Sequence, residues 1–262
     1  MKRCSRCQFV FTDPRPEDSA LPRYYLSDKY ISHTGGNNSL IDKIYVLARQ
    51  KALGSKRKLI ESNSDPGNLL DIGCGTGDFL LEMKSHHWNT SGVEPSAIAR
   101  DSAEKKTRNK IYQLLSQVPE RNFNAITLWH VFEHLPDPNE ALRIFQGLLS
   151  ESGTIFIAVP NLRSYDAQYY KSFWAGYDVP RHLWHFNKDN MKMLLEKNGF
   201  RLTKIIPMRL DSFYVSMLSE FYKHPKNSKF LQLLTAFWVG LQSNRIAGKS
   251  QEYSSHIYVV NR

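Results

Sequence analysis

A short glycine-rich segment between an apolar run and a helix-forming run constrains this chain most. The apolar run at 68–70 leads into Asp71, and glycine then occupies every second position from 73 to 77. Glycine adopts left-handed backbone dihedrals and lets a ligand approach with no Cβ in the way. The segment therefore predicts a nucleotide-site loop between a strand and a helix, with an ordinary tight turn as the alternative for the glycines alone.

The details of the loop decide which ligand it suits. A dinucleotide fingerprint would need glycine at position 78, where Asp78 stands, and a phosphate loop would need a Lys-Ser/Thr pair after the last glycine. Asp71 would repel a pyrophosphate, but it suits a ligand with positive charge. S-adenosylmethionine carries an ammonium and a sulfonium and no phosphate, so we expect this ligand.

A second carboxylate ends the next apolar run. Residues 90–93 predict a strand that leads into Glu94, which lies 17 residues beyond Gly77. This spacing is close to the roughly 20-residue offset at which a nucleotide-binding sheet places a carboxylate on ribose hydroxyls. Because a carboxylate accepts two hydrogen bonds, we expect Glu94 to take both hydroxyls of an adenosine ribose.

These motifs resemble those of a known family. Asp-Ile-Gly-Cys-Gly-Thr-Gly at 71–77 resembles the first motif of class I S-adenosylmethionine-dependent methyltransferases, and the likeness covers residues 65–206. The pattern Glu-His-Leu-x-Asp-Pro at 133–138 resembles the branch that includes quinone-biosynthesis, natural-product and sugar methyltransferases. The resemblance implies a set of cofactor-binding residues: Asp71, Gly73, Cys74, Gly75, Gly77, Glu94, Pro95, Trp129 and His130. It also implies an acid for the adenine amino group after the third strand, where this chain offers only Gln113, Ser116 or backbone groups.

Alternating strand and helix patterns from residue 69 to residue 159 predict an α/β fold with a mainly parallel sheet. The resemblance implies a Rossmann-like, seven-stranded sheet with helices on both faces and an antiparallel edge strand. Helical spacing at 38–62 predicts a cover helix at the entrance of this domain. We expect a helix at 191–198 and strands at 200–207 and 254–260 to complete it.

The two ends of the chain add material that such a core does not need. Residues 1–37 are predicted to form a separate hairpin-like segment, in which Cys4 and Cys7 are half of a zinc ribbon. Zinc takes four ligands and no second C-x-x-C exists, so we expect a remnant without metal. The methyltransferase domain is predicted at 38–262, with a helical insert at about 208–250. Residues 213–239 in that insert could form a substrate lid, a dimer contact, a peripheral membrane contact or a packed helical pair.

Composition and charge limit the compartment and the kinds of binding partner that we expect for this chain. A chain with 41% hydrophobic and 23% charged residues is typical of a soluble globular protein, and no apolar run reaches the length of a bilayer span. Three cysteines cannot make a disulfide framework, so we expect a cytoplasmic protein. The net charge of +10 would allow a nucleic-acid partner, but the bases are scattered and not interleaved with aromatic residues. Nucleic acid is therefore not expected as a partner.

Two polar clusters follow predicted strands. The first contains His130, Glu133 and His134, a spacing that also matches the H-x-x-E-H signature of inverted zinc proteases. The proline residues soon after it prevent the long helix that a protease needs, although a divalent ion held by acids and a histidine is a weaker alternative that the quinone-type relatives imply. The second cluster contains His182 and His185, whose side chains would face the same side if the segment is helical. An imidazole titrates near neutrality and can remove a proton during methyl transfer.

We therefore expect a methyltransferase that acts on a small-molecule acceptor, by O- or C-methylation of a sugar, a lipid-like compound or a quinone-type metabolite. The reaction would be an in-line displacement in which His182 acts as general base, with His134 and His185 as the other candidates. No metal is assigned to this site. The alternatives are a non-catalytic protein on a methyltransferase scaffold and a nucleic-acid methyltransferase, and the latter lacks its usual Asn/Asp-Pro-Pro-Tyr/Phe tetrapeptide after the fourth strand. The sequence does not predict the oligomeric state.

Overall fold

The computed structural model describes residues 1–17, 20, 23–24, 40–119 and 122–262, with only the backbone for 40–49. The chain divides into two compact units, each assembled from separate segments. The first unit contains Met1–Glu17, His130–Asn139 and Ile157–Val260. The second unit contains Asp18–Trp129, Glu140–Phe156 and Asn261–Arg262. The domain boundaries predicted from the sequence, 1–37 and 38–262, stay a prediction.

The second unit alternates strands with helices, as the sequence pattern predicts. Strands are numbered in chain order, so β1 (Lys2–Arg3) and β2 (Val10–Phe11) belong to the first unit. The elements of the second unit up to Trp129 are α1 (Leu40–Glu61), β3 (Asn68–Ile72), α2 (Asp78–Lys84), β4 (Asn89–Val93), α3 (Ala97–Thr107), β5 (Ile111–Tyr112) and β6 (Phe123–Trp129). Strand β3 pairs in parallel with β4 and β6, and β4 pairs in parallel with β5. Leu69 and Leu70 in β3 are fully buried, as in a strand covered on both faces. Helix α4 (Pro138–Leu148) and strand β7 (Leu149–Pro160) each begin in one unit and end in the other.

The first unit opens with a hairpin and contains two helices, α7 (Asp211–Lys223) and α8 (Lys229–Ser250), before its last strand. Its elements are β1 (Lys2–Arg3), β2 (Val10–Phe11), α5 (Tyr165–Tyr170), β8 (Trp184–His185), α6 (Lys188–Lys197), β9 (Arg201–Pro207), α7 (Asp211–Lys223), α8 (Lys229–Ser250) and β10 (Ser255–Asn261). Strand β2 pairs antiparallel with both β1 and β8, so the N-terminal hairpin belongs to a small three-stranded sheet.

The larger sheet has seven strands in the order β5-β4-β3-β6-β7-β10-β9 and is mostly parallel, which confirms the predicted fold class. Two hydrogen bonds show that β10 runs antiparallel to β9. The Thr203 hydroxyl donates to the Val259 carbonyl, and the Met208 amide donates to the Ser255 carbonyl. The antiparallel strand therefore lies one position inside the edge, and β9 forms the edge itself.

Helices α7 and α8 account for the insert predicted at 208–250. They pack closely: a Cβ on Gly240 would lie 2.6 Å from the Phe213 ring, and the Ser212 hydroxyl donates to the Gly240 carbonyl at 3.2 Å. Asp166, on α5, is fully buried and accepts hydrogen bonds from Ser243 of α8 and Trp174. Within the described part of the chain, neither α8 nor any other helix combines the length and the apolar character that crossing a bilayer requires.

Candidate functional site

The glycine loop of the second unit is fixed against the end of β4. The amides of Gly73 and Cys74 both donate to the Val93 carbonyl, at 2.7 and 3.1 Å, and the Gly77 amide donates to the Cys74 carbonyl at 3.0 Å. Gly73, Gly75 and Gly77 all have positive φ angles, of 70°, 54° and 78°. This left-handed backbone costs little only for glycine, which explains the alternate spacing.

Gly75 and Gly77 have different surroundings. A Cβ on Gly77 would lie 3.0 Å from the Cα and Cβ of Ala103, so glycine here allows α3 to pack against the loop. A Cβ on Gly75 would meet nothing within 4 Å. Gly75 therefore borders open space, and a ligand could approach the backbone at this position.

Glu94 lies beside this loop with a buried carboxylate. One carboxylate oxygen accepts from the Gly75 amide and the other from the Ser96 amide, both at 2.9 Å. Burial raises the pKa of Glu94, and the two amides only partly offset that effect. Each oxygen has a further lone pair, so the carboxylate retains capacity for two ribose hydroxyls. The neighbouring Pro95 is exposed, and its carbonyl accepts from Arg100.

Asp71 is buried at the carboxyl end of β3. Its Oδ1 accepts a hydrogen bond from the Thr127 hydroxyl at 2.6 Å. Burial raises the pKa of Asp71 to about 7, against the opposing effects of Thr127 and of the charge on Lys56. A cationic ligand beside this carboxyl group would favour its ionised form. Cys74 is also buried, and burial raises the pKa of its thiol.

Two further features of the second unit lie at strand ends. Trp129, the last residue of β6, has the Lys56 ammonium 4.4 Å above its ring and contacts Phe79 edge to face at 5.5 Å between centroids. A cavity of about 420 Å³ follows β5 and has Gln113 in its wall. Its other lining residues are Arg100, Lys110, Ile111, Tyr112 and Gln117.

His130 begins the polar cluster of the first unit. It has a positive φ of 58°, and its Nε2 lies 3.1 Å from Asp211 Oδ2, while its Nδ1 lies 3.6 Å from Glu133 Oε1. Burial lowers the pKa of His130, but Asp211 and Glu133 outweigh burial and raise that pKa to about 10. His130 is therefore an imidazolium at neutral pH, held between two carboxylates.

Glu133 lies at the centre of three histidines. Its carboxylate is fully buried, and neither oxygen has a hydrogen-bond partner within the described residues. Burial raises the pKa of Glu133, but His130, together with His182 and His134, more than offsets this and leaves the pKa below its ordinary value. An ionised carboxylate without a hydrogen bond is costly to bury, and perturbed groups of this kind cluster at functional sites.

His182 is buried with one ring nitrogen committed to the backbone. Its Nδ1 lies 2.9 Å from the Gly176 carbonyl and must donate to it, because a carbonyl only accepts. Its Nε2 faces carboxylates, 3.9 Å from Glu133 Oε1 and 3.7 Å from Asp178 Oδ2. Burial lowers the pKa of His182 to about 4 despite these acids, so at neutral pH Nε2 is an unprotonated acceptor.

His185 is held in the three-stranded sheet by Thr12. The Thr12 hydroxyl donates to the His182 carbonyl at 2.6 Å, so the His185 Nε2, 3.0 Å away, donates to the Thr12 oxygen. Burial lowers the pKa of His185 to about 3. This hydrogen bond occupies Nε2 of His185. The segment with the two histidines is not a helix, because β8 begins at Trp184 and pairs with β2.

His134 joins the two polar clusters. Its Nδ1 donates to the Arg181 carbonyl at 3.0 Å, and its ring contacts that of His182 edge to face, with centroids 4.6 Å apart. Nearby, the Leu183 amide donates to the Glu133 carbonyl. Residues 132–134 form a three-residue 3-10 helix, which is too short for the zinc-protease signature. Glu133, His134 and His182 each offer one ligand atom within 4.8 Å of the others, a set that could hold a divalent ion.

Sequence reasoning missed Thr12 and Asp211. Thr12 lies 170 residues before the carbonyl that it binds, and Asp211 lies 81 residues after His130. Neither belongs to a local motif, so only the fold brings them to the cluster. Aromatic residues between the two clusters pack together: Tyr170 and Trp174 belong to a buried core cluster with Val239, against which Tyr165, Tyr169 and Tyr177 pack.

The fold and the glycine loop together define a class. A mostly parallel seven-stranded α/β sheet, with an open glycine after β3 and a carboxylate after β4, is the framework of a nucleoside-binding domain. Asp71 with a pKa near neutrality suits a cationic ligand better than a phosphate. These residues fit S-adenosylmethionine.

A comparison with known protein families identifies the family of this chain. The family model described as a methyltransferase domain matches residues 45–205, more than half of the chain, so the chain belongs to this family. S-adenosylmethionine is the methyl donor of the family and the cofactor of this domain.

Curated relatives match over a shorter stretch. The chain is 29% identical over 119 residues to the ubiquinone biosynthesis O-methyltransferase of Coxiella burnetii, covering 42% of this chain and 50% of the relative. It is 31% identical over 103 residues to the enzyme of the same name from Aeromonas salmonicida, covering 36% and 43%. The chain thus spans half the length or less of the curated relatives that it matches.

Solved structures match over almost the whole chain at low identity. A cyclopropane synthase from Mycobacterium tuberculosis gives a TM-score of 0.59 at 15% identity, covering 96% of this chain and 100% of that one. Magnesium protoporphyrin IX methyltransferase from Synechocystis, solved with bound S-adenosylhomocysteine, gives 0.57 at 15% identity, covering 94% and 100%. At this identity the likeness establishes the fold.

Proposed function

We propose that this protein transfers the methyl group of S-adenosylmethionine to a small-molecule acceptor. The observation that carries the proposal is the open backbone at Gly75 beside a buried Glu94 carboxylate that already accepts from the Gly75 amide. Bound S-adenosylmethionine supplies a methyl group on a sulfonium, an electrophile that needs a positioned nucleophile.

The second unit provides the cofactor-holding groups. The Glu94 carboxylate would accept from the ribose hydroxyls, and Asp71 would face the ammonium of the methionine part. Trp129 and the wall of the β5 cavity, with Gln113, would accommodate the adenosine. Cys74 and Gly73 would hold the loop through their amide hydrogen bonds to Val93.

The first unit provides the proton acceptor. His182 Nε2 would take the proton of the acceptor, because Nδ1 is committed to Gly176 and Nε2 stays unprotonated at neutral pH. The Glu133 carboxylate, 3.9 Å away, would stabilise the imidazolium that forms. His134 is the second candidate for the base, and His185, which donates to Thr12, would position His182.

The acceptor class follows from this chemistry. A base that removes one proton suits a hydroxyl group or an activated carbon, so we propose O- or C-methylation of a sugar, a lipid-like compound or a quinone-type metabolite. The ubiquinone biosynthesis O-methyltransferases among the relatives support a hydroxyl acceptor. We also propose a cytoplasmic location, which the free thiols of Cys4, Cys7 and Cys74 support.

Calorimetry with S-adenosylhomocysteine tests the cofactor assignment. Selective binding is expected, with NAD and ATP as negative controls. Glu94→Ala should weaken this binding at least about tenfold, because hydrogen bonds to a charged group are lost. The exposed Glu151→Ala is the matched control and should bind as the wild type does. Equal affinity in wild type and Glu94→Ala would rule out the ribose role.

Methyl transfer to a pooled metabolite extract tests the activity. Transfer of label from S-adenosylmethionine into a small molecule would identify the acceptor. Selective binding of S-adenosylhomocysteine without any transfer would instead favour a non-catalytic protein on a methyltransferase scaffold.

A further inference from the structure

Helix α8 buries mainly small residues, together with Val239 and Gln232, and exposes its aromatic and leucine side chains. Its buried side includes Ala236, Gly240, Ser243 and Ala247, which pack toward α7 and α5. Its opposite side exposes Phe230 at 73% and Phe237 at 58%. In soluble proteins the large apolar side chains of a helix normally face the core, so the arrangement in α8 is reversed.

The exposed apolar residues form one continuous face. Phe230, Leu234, Phe237 and Leu241 follow each other at intervals of four, three and four residues, the spacing that aligns side chains on an α-helix. We define the outer face of α8 by these four together with the equally exposed Leu231 and Trp238. An aromatic and aliphatic face of this kind on the surface marks an interaction site.

The charge around this face has one sign. Between Glu220 and Glu252 the chain contains no Asp or Glu, and it contains five bases: Lys223, Lys226, Lys229, Arg245 and Lys249. Lys226 and Lys229 lie exposed at the N-terminal end of α8, and Arg245 and Lys249 lie exposed in its last turns. The outer face therefore has exposed cations at both ends.

We propose that the outer face of α8 docks on the surface of an anionic lipid bilayer, with the helix lying in the plane of the membrane. Phe230, Phe237 and Trp238 would enter the boundary between headgroups and acyl chains, and the flanking bases would contact anionic headgroups. At 22 residues the helix extends about 33 Å along the surface. This inference is independent of the proposed function.

A second copy of the chain is a poorer occupant of the same face. Two α8 helices packed antiparallel would bring Lys226 and Lys229 of one against Arg245 and Lys249 of the other. Packed in parallel, they would bring like bases together. Like charges oppose association in either orientation, whereas an anionic bilayer complements them.

Vesicle flotation with the full chain tests the proposal, without cofactor or acceptor. The wild type should float with phosphatidylcholine vesicles that contain phosphatidylglycerol, and much less with phosphatidylcholine alone or at high salt. Phe230→Ser with Phe237→Ser should reduce binding more than about tenfold, because two apolar side chains lose their burial in lipid. Ile98→Ser on α3, which is 62% exposed, is the matched control and should bind as the wild type does.

Charge reversal separates the electrostatic contribution to vesicle binding from the apolar contribution. Lys226→Glu with Lys229→Glu should weaken binding to the anionic vesicles about tenfold or more. Each variant changes exposed side chains only, and a thermal unfolding curve equal to that of wild type verifies its fold. Failure of wild type to float, equal binding to both vesicle types, or unchanged binding of the Phe230/Phe237 variant would each overturn the proposal. A concentration-dependent dimer that the Phe230/Phe237 variant abolishes would assign the face to a second copy instead.

Discussion

Burial shifts the pKa of Asp71 upward and the pKa of His182 downward, because in both residues it disfavours the charged form. Asp71 reaches a pKa of about 7 and is partly protonated at neutral pH. His182 falls to about 4 and is neutral there. At neutral pH, Asp71, which should receive a cation, is thus only partly ionised, and His182, which should receive a proton, is uncharged.

Cofactor binding should release a proton from Asp71. The ammonium of S-adenosylhomocysteine favours the ionised carboxyl, so its affinity should rise as pH increases to about 7 and level off above it. Calorimetry at pH 6.5 in buffers of different ionisation enthalpy measures the release. Asp71→Asn should bind more weakly and lose the proton release, and an unchanged release in that variant would assign it to another group.

His182→Ala should leave cofactor affinity unchanged and lower turnover by about 10²–10⁴-fold, the usual contribution of a general base. Because its pKa is about 4, wild-type activity should persist well below pH 6.5 and fall only as Nε2 becomes protonated. The readout is a pH profile of kcat together with S-adenosylhomocysteine affinity. Turnover that survives in His182→Ala would move the role of base to His134.

At the scale of elements, the core strands and helices were predictable because periodicity and glycine chemistry are local. Strand β4 begins at Asn89, one residue before the predicted start at residue 90. The local pattern did not indicate the strand at Trp184–His185, which depends on pairing of Trp184 with Phe11. At the candidate site, Glu94 and Gly75 could be identified from their spacing in the sequence. The ion pair of His130 with Asp211 could not, because it depends on a contact between residues far apart in the chain.

The loop offers a test at this scale. Gly75→Ala and Gly77→Ala both force a non-glycine residue to a positive φ, but only the second also brings a Cβ against Ala103. Gly77→Ala should therefore be less stable than Gly75→Ala by roughly 1–3 kcal/mol, the usual cost of overpacking. Urea unfolding measures the difference. Gly75→Ala should mainly weaken cofactor affinity, and equal stability of the two variants would contradict the packing role of Gly77.

At the scale of the whole molecule, the stability of the first unit should depend on pH through the titration of His130. Its folded pKa of about 10 exceeds the ordinary 6.5, so its stabilising contribution is complete below pH 6.5 and is lost as pH rises through 10. The Tm of wild type should fall more steeply between pH 8 and pH 10.5 than that of His130→Gln, which lacks this titration. Parallel curves for the two proteins would show that the ion pairs with Asp211 and Glu133 add nothing to stability.

The hydrogen bonds of Thr12 have a consequence for choosing where to cut the chain. The family match begins at residue 45 and ends at residue 205, so a fragment with those limits would retain Asp71 and Glu94. It would lose Thr12, which binds both His182 and His185, and Asp211, which pairs with His130. It would also lose β10, which lies between β7 and β9 in the seven-stranded sheet. A screen for acceptors therefore has to use the chain with both of its ends.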